Sequence, residues 1–418
     1  MDADVGDAVP HRNAPSSETD VGGLFRGNLA VIGASNVAAG VGTGLISAYV
    51  SLYFVGLGGS PLMLGAMTAA SSIVGVFMFL LGGLIADYYG RRKVVVLSAF
   101  YGGFFPLLYA VTLDWRLFVV LSVVAVVGSI STPASRALIV DSISPRRRTV
   151  GIASLQVVSS LPATFAPLAG GWLIQNYGLL DGFRLACVYT GAATFISALI
   201  LLFLKETLKP ETGLESGNAQ AGKFRNRIMP SVPLPAGLKA LILSYAIIAF
   251  ANAAVGSYYI LYATDVIGLT PLQWAPIASI QSLAIALKIP GGWLSDRLGK
   301  RNIMIVSVLA CAPCTILFSL ARSFLQTLII AALLVITGIY YAPAHEALQA
   351  DLTPRKVRGR ITALWQLSSA TLSAFGTLTG GFLYQINPAT PFYLFTAAEL
   401  VAAFLLISLV REPEKREI

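Results

Sequence analysis

The chain is poor in the residues that soluble enzymes use for chemistry. Charged residues make up 12% of its 418 residues, whereas a soluble domain averages about 25%. There are two histidines, and the sequence contains no phosphate-binding loop, nucleophile elbow or paired His/Asp metal cluster. We therefore expect no enzyme activity, no cofactor and no use of ATP as a source of energy.

Cysteine is almost absent as well. The three cysteines are Cys187, Cys311 and Cys314, and the last two form a CxxC spacing inside the apolar segment 303–321. No charged side chain stands near them to activate a thiol. We interpret them as inert packing residues rather than as a redox centre.

Hydrophobic residues are what the chain has in excess, at 56% of the total. A water-soluble fold could not bury so much apolar surface, so the composition predicts an all-α polytopic membrane protein that lies in a lipid bilayer. The net charge of +9 could indicate a nucleic-acid partner. In a membrane protein such charge belongs to basic loops beside anionic lipid, and no nucleic-acid partner is expected.

Twelve segments are long and apolar enough to cross a bilayer, which takes about 20 residues. The two predicted six-helix bundles cover residues 25–205 and 237–411 and are joined by a polar linker at 206–236. We predict that residues 1–24 form a disordered tail and that 412–418 form a second tail. The predicted spans are 27–56, 61–86, 93–113, 116–140, 150–177, 183–204, 238–266, 272–295, 302–321, 323–350, 358–386 and 390–410.

The two halves of the sequence resemble each other. The segment GGLIADYYGRR, which begins at residue 82, recurs as GGWLSDRLGKR at 291–301, a shift of 209. PASRALIVDSISPRRR (133–148) recurs as PAHEALQADLTPRKVR (343–358), and LAGGWLIQ (168–175) recurs as LTGGFLYQ (378–385), both with a shift of 210. Because each half holds an even number of spans, the duplication predicts two parallel, pseudo-symmetric bundles.

Lys and Arg are concentrated on one side of the predicted membrane. They occupy 91–93, 146–148, the linker, 297–301, 355–360 and the C-terminal end, whereas the other side offers only Arg116, Arg184 and Arg322. Basic loops face the cytoplasm in membrane proteins. The sequence therefore predicts a multi-pass plasma-membrane protein with both termini in the cytoplasm.

These features together resemble the major facilitator superfamily of secondary transporters. Its signature loop after span 2 reads Gly-x-Leu-Ala-Asp-Arg-x-Gly-Arg-Arg/Lys, and here Tyr88 replaces the usual Arg. The matching residues are Gly83, Asp87, Gly90, Arg91 and Arg92 in the first copy and Gly292, Asp296, Arg297, Gly299 and Arg301 in the second. The resemblance implies twelve helices, alternating access, a small-molecule substrate and function as a monomer.

The resemblance also implies a gate on the cytoplasmic side. Asp87 would dock on the start of span 11 near Arg358, and Asp296 on the start of span 5 near Arg148, because a helix N-terminus attracts an anion. These contacts would latch the gate in the outward-open state. The small residues Gly82 and Gly83 would let a neighbouring helix approach closely. Alternatively, Arg91 to Lys93 fix the orientation of the protein in the membrane. They can do so whether or not the latch forms.

A second set of charges ends spans 4 and 10 at equivalent repeat positions: Arg136 and Asp141 in span 4, and Glu346 and Asp351 in span 10. We expect Arg136 to pair with Glu346 or Asp351 across the closed gate, or else locally with Asp87 or Asp141. If protons drive transport, the candidate carriers are Glu346, Asp141, Asp351 and Glu399. Glu399 could instead form an inter-helix hydrogen bond. Lys288 in span 8 could bind an anionic group of the substrate. Alternatively, it could pair with a carboxylate on a neighbouring helix or extend its side chain towards the cytoplasmic face.

The segment APLAGGWL (166–173) partly resembles the antiporter motif Gly-Pro-x-x-Gly-Gly, through Pro167, Gly170 and Gly171. Span 11 has Thr377 where the repeat would need the proline. A motif in span 5 alone favours an exporter. Span 4 lacks a cation before Gly128 and span 1 lacks a carboxylate, so the usual proton route of drug antiporters is not evident.

Amide and aromatic side chains are the candidates for substrate binding, since a pocket with little fixed charge suits amphipathic compounds. Tyr258 to Tyr262 could instead belong to an interfacial belt. The sequence favours a proton-coupled exporter of amphipathic molecules, with a proton symporter that imports a sugar or organic acid as the alternative. The candidate ligands are Asn36, Tyr49, Gln156, Asn252, Tyr259, Tyr340, Tyr341, Trp365 and Gln366.

Overall fold

A computed structural model describes residues 27–144, 148–207, 235–353 and 358–412 of the chain. Within these ranges the side chains of 148–150, 283–296, 358–360 and 363 are not described. The predicted tails at 1–24 and 412–418 and the predicted linker at 206–236 fall almost entirely outside the described residues. The boundaries of these three segments therefore stay predictions.

The first half consists of helices in the order expected for six spans. Span 1 is divided into two helices, and span 4 contains a 3₁₀ segment, Val126–Ser131, between two α-helices. The helices are α1 (Asn28–Ser47), α2 (Val50–Gly56), α3 (Pro61–Tyr89), α4 (Arg91–Ala110), α5 (Trp115–Ala125), α6 (Thr132–Asp141), α7 (Arg148–Tyr177) and α8 (Leu179–Leu201).

The second half repeats this order. Helix α9 ends at Gly256 and α10 begins at Tyr259, which is the break between α1 and α2 repeated 209 residues later. The helices are α9 (Ala236–Gly256), α10 (Tyr259–Asp265), α11 (Pro271–Leu298), α12 (Lys300–Leu320), α13 (Phe324–Gly338), α14 (Tyr341–Leu352), α15 (Arg358–Ile386) and α16 (Thr390–Leu409).

The helix starts follow directly from the sequence. Ser60 caps α3 by accepting a hydrogen bond from the Met63 amide at 3.3 Å. Thr270, its repeat equivalent, caps α11 in a reciprocal capping box with Gln273. In both cases a proline follows the cap, where its missing N–H costs no helical hydrogen bond.

The surface of the bundles is that of a membrane protein. Ten helical segments among the described residues are long and apolar enough to cross a bilayer. Large apolar side chains such as Phe77 and Phe404 are 59% and 67% exposed, which lipid would cover. Helices α11 and α15, 28 and 29 residues long, include undescribed side chains and are not among the ten, so the count of twelve spans stays a prediction.

The two halves meet along two pairs of helices. Helix α7 of the first half packs against α11 of the second, and α3 packs against α15. These are equivalent pairs under the repeat. Helices α2 and α10 also contact each other. We call the end of the bundles that holds the connections 57–60 and 266–270 the sealed face, and the end with the loops at Gly90 and Gly299 the basic face.

Candidate functional site: a sealed face, a basic face and a cavity

Two tyrosines occupy the breaks in the divided helices. Tyr49 lies between α1 and α2, and Tyr258 lies between α9 and α10. Both side chains are fully buried, with 0% exposure. The sequence register already relates them, since they are 209 residues apart, the offset of the internal repeat.

Each tyrosine connects the two halves of the protein. The Tyr49 hydroxyl donates a hydrogen bond shared between the carbonyl oxygens of Pro167 (2.8 Å) and Pro271 (3.3 Å), the latter in the other half. The Tyr258 hydroxyl is shared in the same way between Thr377 (3.1 Å) and Pro61 (3.2 Å). The two arrangements are related by the pseudo-symmetry of the repeat, and together they close the sealed face.

Glycines make this contact possible. A Cβ atom on Gly171 would lie 2.6 Å from the Tyr49 hydroxyl oxygen and 2.9 Å from the Pro271 oxygen. On Gly381 it would lie 2.7 Å from both the Tyr258 hydroxyl and the Pro61 oxygen. Such distances are too short for any side chain. The Gly-Gly part of the antiporter-like segment therefore sits directly against the seal.

The structure places several tyrosines in surroundings that differ from those expected from the sequence. Tyr49, a predicted substrate ligand, has its hydroxyl engaged by two backbone carbonyls in the seal. The alternative of an interfacial belt is wrong for Tyr258 and Tyr262, which are 0% and 3% exposed. The Tyr262 hydroxyl donates to the carbonyl of Ser319 at 2.7 Å, so both rings belong to the protein interior.

The basic face is organised around two equivalent loops. Gly90 and Gly299 adopt φ values of 91° and 89°, a backbone conformation that strains other residues. The next residue in each loop forms a salt bridge: Arg91 with Asp141, and Lys300 with Asp351. Each loop is thereby tied to the end of the fourth or tenth span.

A carboxylate also caps the helix that follows each loop. The Arg92 amide, at the start of α4, donates to the Glu206 carboxylate at 3.0 Å, and the Arg301 amide, at the start of α12, donates to Glu412 at 2.5 Å. An anion here compensates the unsatisfied amides and the positive end of the helix dipole. The Arg92 side chain in turn donates to the carbonyl oxygen of Leu202 at 2.8 Å.

Sequence reasoning missed both carboxylates, since it assigned Glu206 to the linker and Glu412 to a tail. The signal was present, because Lys205-Glu206 and Arg411-Glu412 each follow the last span of a half. It was obscured because their offset is 206, whereas the motifs used to define the repeat are offset by 209 or 210.

The expected pairing of Arg136 does not occur in this structure. Arg136 and Glu346 are both exposed, and neither forms a salt bridge with another described residue. The Arg136 guanidinium lies 5.8 Å from the Phe79 ring centroid. Asp141 and Asp351, the other proposed partners, are taken by Arg91 and Lys300, so neither the cross-gate pair nor the local pair is formed.

The small residues before the first loop behave differently from one another. A Cβ atom on Gly82 would overlap the Ile130 carbonyl oxygen, whereas one on Gly83 would meet nothing within 4 Å. The expected close helix approach is therefore confined to Gly82. Asp87 is exposed and makes no hydrogen bond with another described residue.

The residues predicted to dock with one another at the gate lie partly outside the described part of the chain. Arg148, Gly292, Asp296 and Arg358 lie in stretches whose side-chain surroundings are not described, as does Lys288. Their gating roles stay predictions. Arg297, at the end of α11, is exposed.

Two adjoining cavities lie within the second half. One has a volume of about 540 Å³ and the other about 330 Å³, and both are lined by Asn252, Cys311 and Gly338. The larger one is also lined by Tyr341 and Glu399. Helices α9, α12, α13, α14, α15 and α16 contribute residues to its wall.

Three of the nine predicted substrate ligands meet at these cavities: Asn252, Tyr259 and Tyr341. The other six do not line them. Asn36 donates to the Ser159 hydroxyl at 3.2 Å in the first half. Trp365 packs on His345, with ring centroids 5.1 Å apart.

The three remaining predicted ligands are at least partly accessible to solvent. Gln156 is exposed, and Gln366 and Tyr340 are partly buried. None of these three side chains hydrogen-bonds to another described residue. The cysteines predicted to be inert are all free thiols, with Cys187 and Cys314 buried and Cys311 facing the cavities.

Two helical bundles joined by equivalent contacts and closed at one end define a multi-pass membrane transporter of the two-bundle class. The chain belongs to the Major Facilitator Superfamily, whose family model matches residues 32–344 and, in a second match, 241–418. As a member of this superfamily it is a transporter of small molecules rather than an enzyme.

Similar proteins support this assignment. The chain is 25% identical over 369 residues to multidrug resistance protein MdtH of Enterobacter sp. (strain 638), covering 85% of this chain and 86% of that protein. It is 22% identical over 379 residues to multidrug resistance protein 2 of Bacillus subtilis (strain 168), covering 89% and 91%. Among solved structures, a D-xylose-proton symporter matches with a TM-score of 0.72 at 14% identity, covering 92% of this chain and 97% of that one.

Proposed function

We propose that this protein is a secondary exporter that moves small amphipathic molecules by alternating access in exchange for protons. Two observations support export. The antiporter-like segment at Pro167–Gly171 lies against the seal formed by Tyr49, and relatives that match most of the chain are named multidrug resistance proteins. The structural likeness to the xylose symporter supports the fold alone.

The basic face is the cytoplasmic side in this proposal, and both termini lie there, because Lys- and Arg-rich loops face the cytoplasm. The observation that carries the alternating-access part of the proposal is the difference between the two faces. The tyrosine pair joins the halves at the sealed face, whereas Arg136 and Glu346 form no salt bridge with a described residue at the basic face. In this proposal, the structure represents the inward-facing state of an alternating-access transporter.

The opposite state requires the two faces to exchange roles. When the basic face closes, Arg136 approaches Glu346, Asp87 docks on the start of α15, and Asp296 docks on the start of α7. The hydrogen bonds of Tyr49 and Tyr258 to the opposite half then break. Because the interactions that form at one face replace those that break at the other, the two states can lie within a few kcal/mol of each other.

The proton carrier is one of four carboxyl groups. Asp141 and Asp351 are in salt bridges here, whereas Glu346 is exposed and Glu399 is buried. The last two are therefore the stronger candidates for reversible protonation. A membrane potential contributes about 2.3 kcal/mol per charge per 100 mV, so the movement of one net charge is a useful driving force.

Reconstitution into liposomes that contain a pH-sensitive dye tests this function. Cationic, neutral and anionic amphipathic compounds are added in turn, and proton flux is recorded beside compound flux. Proton movement opposite to a transported compound is the expected result.

Movement of both in the same direction would overturn the exporter proposal in favour of symport of a metabolite such as a sugar or organic acid. Compound flux without a proton signal would leave a transporter but remove proton coupling. Protein-free liposomes provide the baseline for both fluxes.

A further inference from the structure

Glu399 is a buried carboxyl group without a partner among the described residues. It lies on α16, 3% exposed, and no described residue forms a salt bridge or hydrogen bond with its side chain. The inter-helix hydrogen bond considered from the sequence is therefore not formed within the described part of the chain. The carboxyl group instead lines the cavity of about 540 Å³.

Such a group is costly unless something compensates it. An ionised carboxylate taken out of water loses its hydration. The charged form is stable there only with a cation or several hydrogen-bond donors beside it, and without them the group takes up a proton. Helix packing alone gives no reason for a glutamate at this position, because a leucine or glutamine would fill the space. A ligand that supplies the missing charge would account for it.

The wall of the cavities supplies neutral groups but no second charge among the described lining residues. Asn252, Ser307 and Ser373 are polar and uncharged. The Tyr341 side chain lies in the same wall, and its buried hydroxyl has no hydrogen-bond partner among the described residues. Among the described residues, the titratable groups within electrostatic reach of Glu399 are Tyr259, Cys311 and Tyr341, and none of these three is a cation.

Aromatic rings surround the adjoining cavity of about 330 Å³. Tyr259, Trp274, Phe318 and Phe395 line it. Aromatic faces attract organic cations by about 0.5–2 kcal/mol each, with the larger values in desolvated sites. One carboxyl group beside an aromatic compartment is a combination that matches a molecule with one positive charge and an apolar body.

We propose that the two cavities form one binding site for amphipathic organic monocations. The carboxylate of Glu399 pairs with the cationic group in the larger cavity, and the apolar part of the ligand occupies the aromatic compartment around Trp274. The site lies inside the second bundle and does not involve the gate residues. The inference rests on the proposed transport function in one respect, which is that the ligand is a transported substrate.

Binding of tetraphenylphosphonium to the purified full-length protein in detergent tests the site. Calorimetry should give at least about tenfold weaker binding for Glu399→Gln than for the wild type, since truncating a buried charge pair typically removes more than the 1.4 kcal/mol that corresponds to tenfold. Glu399→Asp, which keeps the charge, should recover most of the affinity. The neutral analogue triphenylphosphine oxide should bind both wild type and Glu399→Gln with similar affinity.

Asp181→Asn is the matched control, because Asp181 is a carboxylate outside the cavities that pairs with Arg184 one helical turn away. It should leave the affinity for tetraphenylphosphonium unchanged. Equal binding by Glu399→Gln and the wild type would overturn the proposed site.

A second measurement leaves Glu399 intact and so does not depend on the folding of its variants. In a Cys187→Ser/Cys314→Ser background the remaining thiol is Cys311, which lines both cavities. Tetraphenylphosphonium should slow alkylation of Cys311 by N-ethylmaleimide at least several-fold, and the anion tetraphenylborate should not. Alkylation at an unchanged rate with saturating tetraphenylphosphonium would place the cation elsewhere and overturn the inference.

Failure of the site and failure of the proposed function give different results. Transport of neutral compounds by a wild type that binds no tetraphenylphosphonium would refute the cation site and leave the transporter. Glu399-dependent binding of tetraphenylphosphonium without flux of any tested compound would support the site and refute the export function.

Discussion

Tyr49 and Tyr258 make the same hydrogen bonds at equivalent positions, each joining its own half of the protein to the other. Neither ring is accessible to solvent. Any movement that separates the halves at the sealed face must break the hydrogen bonds to Pro271 and Pro61. The state of this tyrosine pair therefore reports whether the sealed face is closed.

Replacing Tyr49 or Tyr258 by Phe should favour opening of the sealed face. Each change removes a hydrogen bond to the opposite half worth about 1 kcal/mol, so the population of the open state should rise about fivefold per substitution and more in the double variant. Spin labels at positions 113 and 266, exposed sites in the first and second halves, report the change as a longer distance.

Tyr53→Phe is the control for this experiment. Its hydroxyl donates to the carbonyls of Tyr109 and Thr112, both in the first half. The distance distribution should stay that of the parent protein. A shift of the same size in Tyr53→Phe would mean that the effect is general destabilisation rather than release of the seal.

The adjacent glycines before the basic loop should respond in opposite ways to alanine. Gly82→Ala introduces a Cβ that overlaps the Ile130 carbonyl and should destabilise the protein by about 1–3 kcal/mol. Gly83→Ala meets open space and should be neutral or stabilising by up to about 1 kcal/mol. Thermal unfolding in detergent compares the two variants, and equal melting temperatures would contradict the packing described.

Exchanging the charges of Arg136 and Glu346 tests the closed basic face. Each single variant, Arg136→Glu or Glu346→Arg, should slow transport because two like charges then approach when the face closes. The double variant should recover activity in the liposome assay. A double variant that folds normally but stays inactive would show that this pair does not form in the transport cycle.

The capping carboxylates should contribute stability at both loops. Glu206→Ala and Glu412→Ala each expose the first amides of α4 or α12 and should cost about 1 kcal/mol. Glu→Gln at the same positions keeps an acceptor and should cost less. Unfolding measurements on the four variants check the order, and an alanine variant as stable as the wild type would contradict the capping role at that loop.

The sequence anticipated the loops well but not what they touch. The repeat offset located Gly90 and Gly299, and both have the positive φ that a tight turn needs. It also suggested that Asp141 and Asp351 are equivalent. Their partners, Arg91 and Lys300, could not be chosen from the sequence, because Arg136 lies much nearer to Asp141 along the chain and only the helix orientation selects between them.

The candidate site was anticipated in part. Asn252, Tyr259 and Tyr341 were named as ligands from their residue types, and they line the cavities in the second half. Tyr49 was named by the same reasoning but lies in the seal. Residue type does not separate these cases, because a buried tyrosine hydroxyl is satisfied equally well by a ligand or by a backbone carbonyl.

The sequence by itself determined the class of the protein. Its apolar segments are long enough to cross a bilayer, its duplicated motifs require two similar bundles, and its basic loops predict an orientation. These properties depend on composition and spacing, which are local. The tertiary structure decided which face is sealed and where Glu399 lies. Both depend on contacts between residues far apart in the chain, and nothing in their local sequence fixes those contacts.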